Sequence, residues 1–172
     1  MARAHALIMA EADTGMTPGE VLDRVNRHIT HLEKSAQFVT ALYGLLNPVT
    51  NEFSYARAGH EPPLLLKPDG AVERIPYGPG MSLGLWDAIA LDERTIQLEA
   101  GSTLLLFTDG MTDCRDPGGV SFGLERVKSK LGELTGMAAQ EVCDRLLNTL
   151  KEYQSGAPQD DDVTLVAIHA EK

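Results

Sequence analysis

The chain has 172 residues, 43% of them hydrophobic, and a formal net charge of −10 from 25 acids against 15 bases. That length suits a single domain, 1–172, with a sizeable core; no cluster of Lys and Arg offsets the acidity, so nucleic acid and anionic membranes should be repelled. No apolar stretch approaches the ~20 residues of a membrane span, the start MARAHALIMAEAD lacks a signal peptide's apolar core and cleavage site, and Cys114 and Cys143 show no metal-ligand or redox spacing, so free thiols in a reducing cytoplasm are expected.

Residues 3 to 12, rich in Ala, Leu, Ile and Met, read as a short helix. Thr17-Pro18-Gly19-Glu20 then has the form of a capping box with proline at the first helical position. The helix it opens places Val21, Leu22, Val25, Ile29 and Leu32 on one stripe and Asp23, Arg24, Arg27 and His31 on the other face. His28 and His31 stand i and i+3 there, yet no third or fourth ligand accompanies them, so exposed polar positions explain them better than zinc.

The period changes at Gln37. FVTALYGLLN, the turn Pro48-Val49-Thr50-Asn51 and EFSYARAGH predict a β-hairpin, and LLLK, Pro68-Asp69-Gly70 and AVERI predict another. A strand is expected from Ala88 to Leu98, followed by Ser102 to Phe107, whose unbroken apolar character predicts burial on both faces. Residues 110 to 123 are turn-rich and predict a mobile loop. Helices are expected at 122 to 132 and 137 to 152, with Val142, Leu146, Leu147 and Leu150 on one face, and a last strand at Val163 to His169. Strands and helices in blocks, without βα alternation, predict an α+β fold with mostly antiparallel sheets.

Two acidic clusters sit at strand ends. Thr108-Asp109-Gly110-Met111-Thr112-Asp113 closes one apolar run and Asp160-Asp161-Asp162-Val163-Thr164 opens another. Adjacent carboxylates repel unless a cation lies between them, so this arrangement suits a hard, oxygen-loving ion such as Mg2+ or Mn2+. Each cluster alone would read as a strand-ending turn or a solvated acidic loop. Gly80-Met81-Ser82-Leu83-Gly84 matches the nucleophile elbow G-x-S-x-G, but that device needs a strand before Ser82 and a helix after it, and the flanking residues predict neither.

The ordered set Phe38-Val39-Thr40, Ala58-Gly59-His60-Glu61-Pro62-Pro63, Ser82-Leu83-Gly84, Thr108-Asp109-Gly110 with Asp113, Phe122-Gly123-Leu124-Glu125-Arg126 and Asp161-Asp162-Val163-Thr164 resembles the SpoIIE-like or RsbU-like bacterial phosphatases. These belong to the metal-dependent Ser/Thr protein phosphatase (PPM) superfamily. The resemblance implies an α-β-β-α sandwich with a Mn2+ or Mg2+ centre in which Asp109 and Asp161 are ligands and Asp113 holds a further ion or its waters. Gly110, Asp162 and His60 would support the site, with a structural hydrogen bond the better reading of His60. No catalytic side chain is implied, because a metal-activated water attacks phosphorus. The implied substrate is a phosphoserine or phosphothreonine on a small anti-sigma-factor antagonist.

Relatives carry strands first, then an Asp-x-x-Gly-His-Gly turn whose Asp bridges two metals. Ala2 to Ala10 looks like the helix after that turn. The expectation is therefore of an amino-terminally incomplete sandwich with impaired activity, and of self-association through an uncovered sheet edge. The alternative is an inactive domain of this fold acting as a protein-binding regulatory module.

Overall fold

A computed structural model describes residues 2–12, 15–32 and 38–171. The chain divides into two compact units, Met1–His60 with Pro76–Gln97, and Glu61–Ile75 with Leu98–Lys172. Each is an antiparallel sheet flanked by helices, as the blockwise patterning predicts.

In the first unit, helices α1 (Ala2–Ala12) and α2 (Pro18–Leu32) precede the hairpin of strands β1 (Ala41–Asn47) and β2 (Glu52–Ala58), and β5 (Asp92–Gln97) completes a three-stranded sheet in the order β1-β2-β5. The capping box forms as read: the Thr17 amide donates to Glu20 Oε2 at 2.9 Å and the Glu20 amide donates to Thr17 Oγ1 at 3.3 Å. Behind it Val21, Leu22 and Val25, all fully buried, pack on Ala56 and Ala58 of the sheet. Because side chains alternate along a strand, the opposite face of β2 carries Phe53, Tyr55 and Arg57, also buried. The change of period expected at Gln37 lies outside the described residues.

The strand expected from Ala88 to Leu98 is shorter than read. Residues 80 to 91 are irregular, since their backbone groups are taken elsewhere. The buried Asn26 amide accepts from the Gly84 N–H at 2.8 Å and donates to the Trp86 and Asp87 carbonyls, while the Met81 amide donates to Ala90. Ser82 thus lies in irregular chain with no strand before it and no helix after it, as its flanks predict.

The second unit orders its strands β4-β3-β6-β7, from β3 (Leu64–Leu66), β4 (Val72–Arg74), β6 (Thr103–Phe107) and β7 (Leu165–His169). Helices α4 (Leu124–Gly132) and α5 (Ala139–Gln154) cover it. Val127, Leu131, Val142, Leu146 and Leu150 join Leu64, Leu66, Leu105 and Phe107 in one core. Burial of β6 at Thr103, Leu104, Leu105 and Phe107 matches its apolar run.

Residues 110 to 123 carry more hydrogen-bonded structure than their turn-rich composition suggests. A single helical turn, α3 (Gly110–Asp113), is followed by a tight hairpin-like turn in which Asp116 and Val120 exchange hydrogen bonds and the Phe122 amide donates to Cys114 at 2.7 Å. Tyr153 Oη and the Arg126 guanidinium donate to the Ser121 carbonyl, tying the turn to both long helices. Composition shows that glycines and prolines make turns; it does not show how many backbone partners the turn will find.

Candidate metal centre

The acidic rim is built where β6 and β7 meet. Their antiparallel register pairs Phe107 with Leu165, so the residues just past one strand lie beside those just before the other. The Thr108 amide donates to the Thr164 carbonyl at 3.1 Å, extending the ladder by one step. Thr108 Oγ1 donates to the Asp162 carbonyl at 2.9 Å and accepts from the Thr164 amide at 3.0 Å. One hydroxyl therefore fixes the course of both acidic segments.

Asp109 occupies the N-cap position of α3 with its side chain exposed and not engaged in capping. Its carbonyl accepts from the Asp113 amide at 2.8 Å and from Thr112 Oγ1 at 2.9 Å, which sets Asp113 one helical turn further on, also exposed. Gly110 is buried against the facing segment: a Cβ there would stand 2.5 Å from the Asp162 carbonyl oxygen and 3.4 Å from that of Asp161. Only a residue without a side chain permits this approach. Across from it, Asp161 Oδ1 accepts from the Asp162 amide at 2.7 Å, and the Asp161 carbonyl accepts from Gln159 Nε2 at 2.8 Å.

The two acidic stretches, some fifty residues apart in sequence, are thus neighbours in the second unit. Gly110, Asp113, Asp160 and Asp161 line one cleft with Cys114, Arg115 and Val163. The donor chemistry fits a hard cation, because exposed carboxylates and main-chain carbonyls are the oxygen ligands that Mg2+ and Mn2+ prefer. Among the described residues, however, no group of three or more His, Cys, Asp or Glu is gathered into a metal cage. His60 belongs to the first unit, where its carbonyl accepts from the Arg57 guanidinium at 2.8 Å.

Sequence reasoning included Thr108 and Thr164 in its motifs without giving either a role, yet they hold the rim together. Their signal was present as a threonine directly before Asp109-Gly110 and another two residues after Asp162. A hydroxyl at a strand end is a common device for satisfying loop carbonyls.

A family model described as Stage II sporulation protein E (SpoIIE) matches residues 1–171. Phosphoserine phosphatase RsbU of Bacillus subtilis is 29% identical over 158 residues, 91% of this chain and 46% of that protein. The SiaA-PP2C domain of Pseudomonas aeruginosa superposes with a TM-score of 0.84 at 23% identity, over 99% of this chain and 68% of that one. A crystal structure of RsbX in complex with magnesium has a TM-score of 0.67 at 19% identity, over 96% of this chain and 70% of that one. The two structural likenesses establish shared fold. The chain spans from 21% to 46% of the length of the curated relatives it matches.

Proposed function

We propose, for a chain that belongs to the SpoIIE family of the PPM/PP2C phosphatase superfamily, that the acidic rim at the β6–β7 junction serves metal-dependent hydrolysis of phosphoserine or phosphothreonine on a protein. The observation that carries this reading is the approach of Gly110 to the Asp161 and Asp162 carbonyls, which sets Asp109 and Asp161 on adjoining segments. The name of the relative RsbU, a phosphoserine phosphatase, supports the choice of substrate bond. A small anti-sigma-factor antagonist in a partner-switching pathway is the substrate protein we favour.

Asp109 and Asp161 would hold Mn2+ or Mg2+, with Asp113 placed to take a further ion or to orient its waters. When bound, the cation lowers the pKa of a coordinated water and neutralises phosphoryl charge. The chain's own part is to present carboxylates at a fixed spacing. Thr108 and Gly110 do this by locking the two segments, and Asp162 supports the site through the carbonyl that accepts from Thr108. This reading calls for no nucleophilic side chain: Thr108 Oγ1 is committed to Asp162 and Thr164, and the Cys114 thiol on the same cleft has its pKa pushed up by burial.

Because no trio of ligating side chains is gathered among the described residues, metal binding by these residues should be weak and turnover low. The same observation favours the second reading, an inactive domain that binds a protein partner without hydrolysing its phosphate. Calorimetric titration with Mn2+, paired with p-nitrophenyl phosphate hydrolysis, separates the two. Weak binding abolished in both Asp109→Ala and Asp161→Ala, with metal-dependent turnover, supports the phosphatase; binding that survives both substitutions removes the site assignment.

For this family member we also favour action in the cytoplasm and self-association. No described helix is long and apolar enough to cross a membrane. Edge strand β1 leaves Leu45 and Leu46 exposed, with Val49 beyond them, a surface on which a second copy could pair. Light scattering across a wide concentration range decides this, and a monomer throughout would refute it.

A further inference from the structure

Alongside the acidic rim, the cleft of the second unit has a part that metal chemistry does not use. Its volume is about 80 Å³, and Leu147, Leu150 and Val163 form an apolar wall beside Asp113 and Asp161. On α5 the core stripe runs through Val142, Leu146 and Leu150. Leu147, Lys151 and Gln154 form a second stripe at i, i+4 and i+7, and all three face the cleft. Leu147 is half-buried and Lys151 exposed, so this stripe is not used to close the unit's own core.

The charges there are arranged in a particular way. Lys151 lies in the last turn of α5, where the helix end favours a cation. Among the described residues it forms no ion pair. Arg115, the other cation on the cleft, reaches Asp160 only at 3.8 Å, with both side chains more than half exposed. An apolar wall bearing an uncommitted ammonium thus continues directly from the carboxylates proposed to hold metal.

We propose that this cleft is the specificity subsite for the phosphoprotein substrate: an aliphatic side chain close to the phosphorylated residue packs on Leu147, Leu150 and Val163, and a neighbouring acidic residue pairs with Lys151. The inference rests on the phosphatase reading for the position of the phosphate, and it names what that reading leaves open, the chemistry of the flanking sequence. With Asp113 and Asp161 taken by the metal in that reading and Asp160 set against Arg115, the charge left for a flanking residue is that of Lys151, and a positive residue there would be repelled.

The test uses fluorescence anisotropy with phosphoserine peptides in which each flanking position carries in turn Leu, Phe, Asp, Lys or Gly, in the presence of Mn2+. At one position Asp should bind about fivefold more tightly than Lys, the scale of one exposed ion pair, and Lys151→Glu should reverse that order. Lys128→Glu makes the same charge change on α4 and should leave it intact. At a second position Leu should be preferred over Gly and Phe, and Leu147→Trp should abolish the preference. Preferences unchanged by Lys151→Glu, or no measurable peptide binding, overturn the proposal. Peptide binding that follows Lys151 while metal binding survives Asp109→Ala would instead remove the phosphatase reading and leave a peptide-binding cleft.

Discussion

Thr108 and Thr164 bind each other twice, amide to carbonyl at 3.1 Å in one direction and amide to hydroxyl at 3.0 Å in the other. This pair closes the β6–β7 ladder at the place where both acidic segments leave it. Thr108→Val keeps the shape and removes the hydroxyl, leaving the Thr164 N–H and the Asp162 carbonyl without their partner. The expected cost is about 1–2 kcal/mol of stability, with weaker Mn2+ affinity, while Thr108→Ser should retain most of both. Urea unfolding and metal titration of the two variants measure it, and an unchanged Thr108→Val would show the pair to be incidental.

Gly110→Ala should be worse for the site than for the fold. Its methyl would press into the Asp162 carbonyl at 2.5 Å, and backbone there can yield only by moving the Asp161–Asp162 segment away. Overpacking of this kind costs about 1–3 kcal/mol. We expect a lowered denaturation midpoint together with loss of the metal-binding heat, and full retention of that heat would show that the two segments can separate without harm.

Much of this molecule can be read along the chain, and the part that cannot has a common cause. The α2 capping box was legible because both partners lie within four residues, and β6 because burial on both faces demands an unbroken apolar run. The blocks of strands and helices likewise announced the antiparallel layers. Residues 88 to 91 read as the start of a strand, yet the chain that leads into them is held at Gly84, Trp86 and Asp87 by Asn26, about sixty residues earlier. The partners of the turn after α3 were hidden for the same reason, since Tyr153 and Arg126 reach it from helices further along the chain. At the candidate site the acids announced themselves through charge, whereas the threonines that join them carry no charge and are common everywhere.

Acid sensitivity should centre on Asp92, which is buried and bonded to Arg57 at 3.3 Å and Arg94 at 3.0 Å. Burial alone would raise its pKa, but the Gly78 backbone, Arg94 and Arg57 together outweigh it, and the carboxyl titrates below its ordinary value. A depressed carboxylate contributes stability that is full above the unfolded pKa of about 3.9 and is lost as pH falls through the lower folded value. Asp92→Asn should therefore flatten the acid limb of a stability-versus-pH curve. It should also cost about 3–5 kcal/mol at neutral pH, because Arg57 is left buried without its counter-charge. Denaturant midpoints from pH 7 to pH 2 for both proteins provide the comparison.

Tyr55 predicts the opposite limb. Its ring is fully buried against Phe53, and its hydroxyl has no hydrogen-bond partner among the described residues. Burial first, then the charge of Asp92, pushes its pKa up to about 12, with Arg94 and Arg57 opposing. A raised pKa gives stability that is complete below the unfolded value of about 10 and disappears as pH climbs through the folded one. Tyr55→Phe should be as stable as the parent at pH 7, or more so by about 1 kcal/mol, and less sensitive between pH 10 and 12. A marked loss of stability at neutral pH would mean that the hydroxyl does have a partner.

The pairing of β6 with β7 also dictates when, during folding, a cation could first be captured. Helices α4 and α5 lie between these strands in the chain, so the ladder that joins Asp109 to Asp161 closes a long loop, and its entropic cost precedes its reward. Local elements such as the hairpins can form early without it. The acidic rim is therefore expected to form late in the folding of the second unit, and metal ions bound there as proposed should slow unfolding of the finished protein without accelerating its formation.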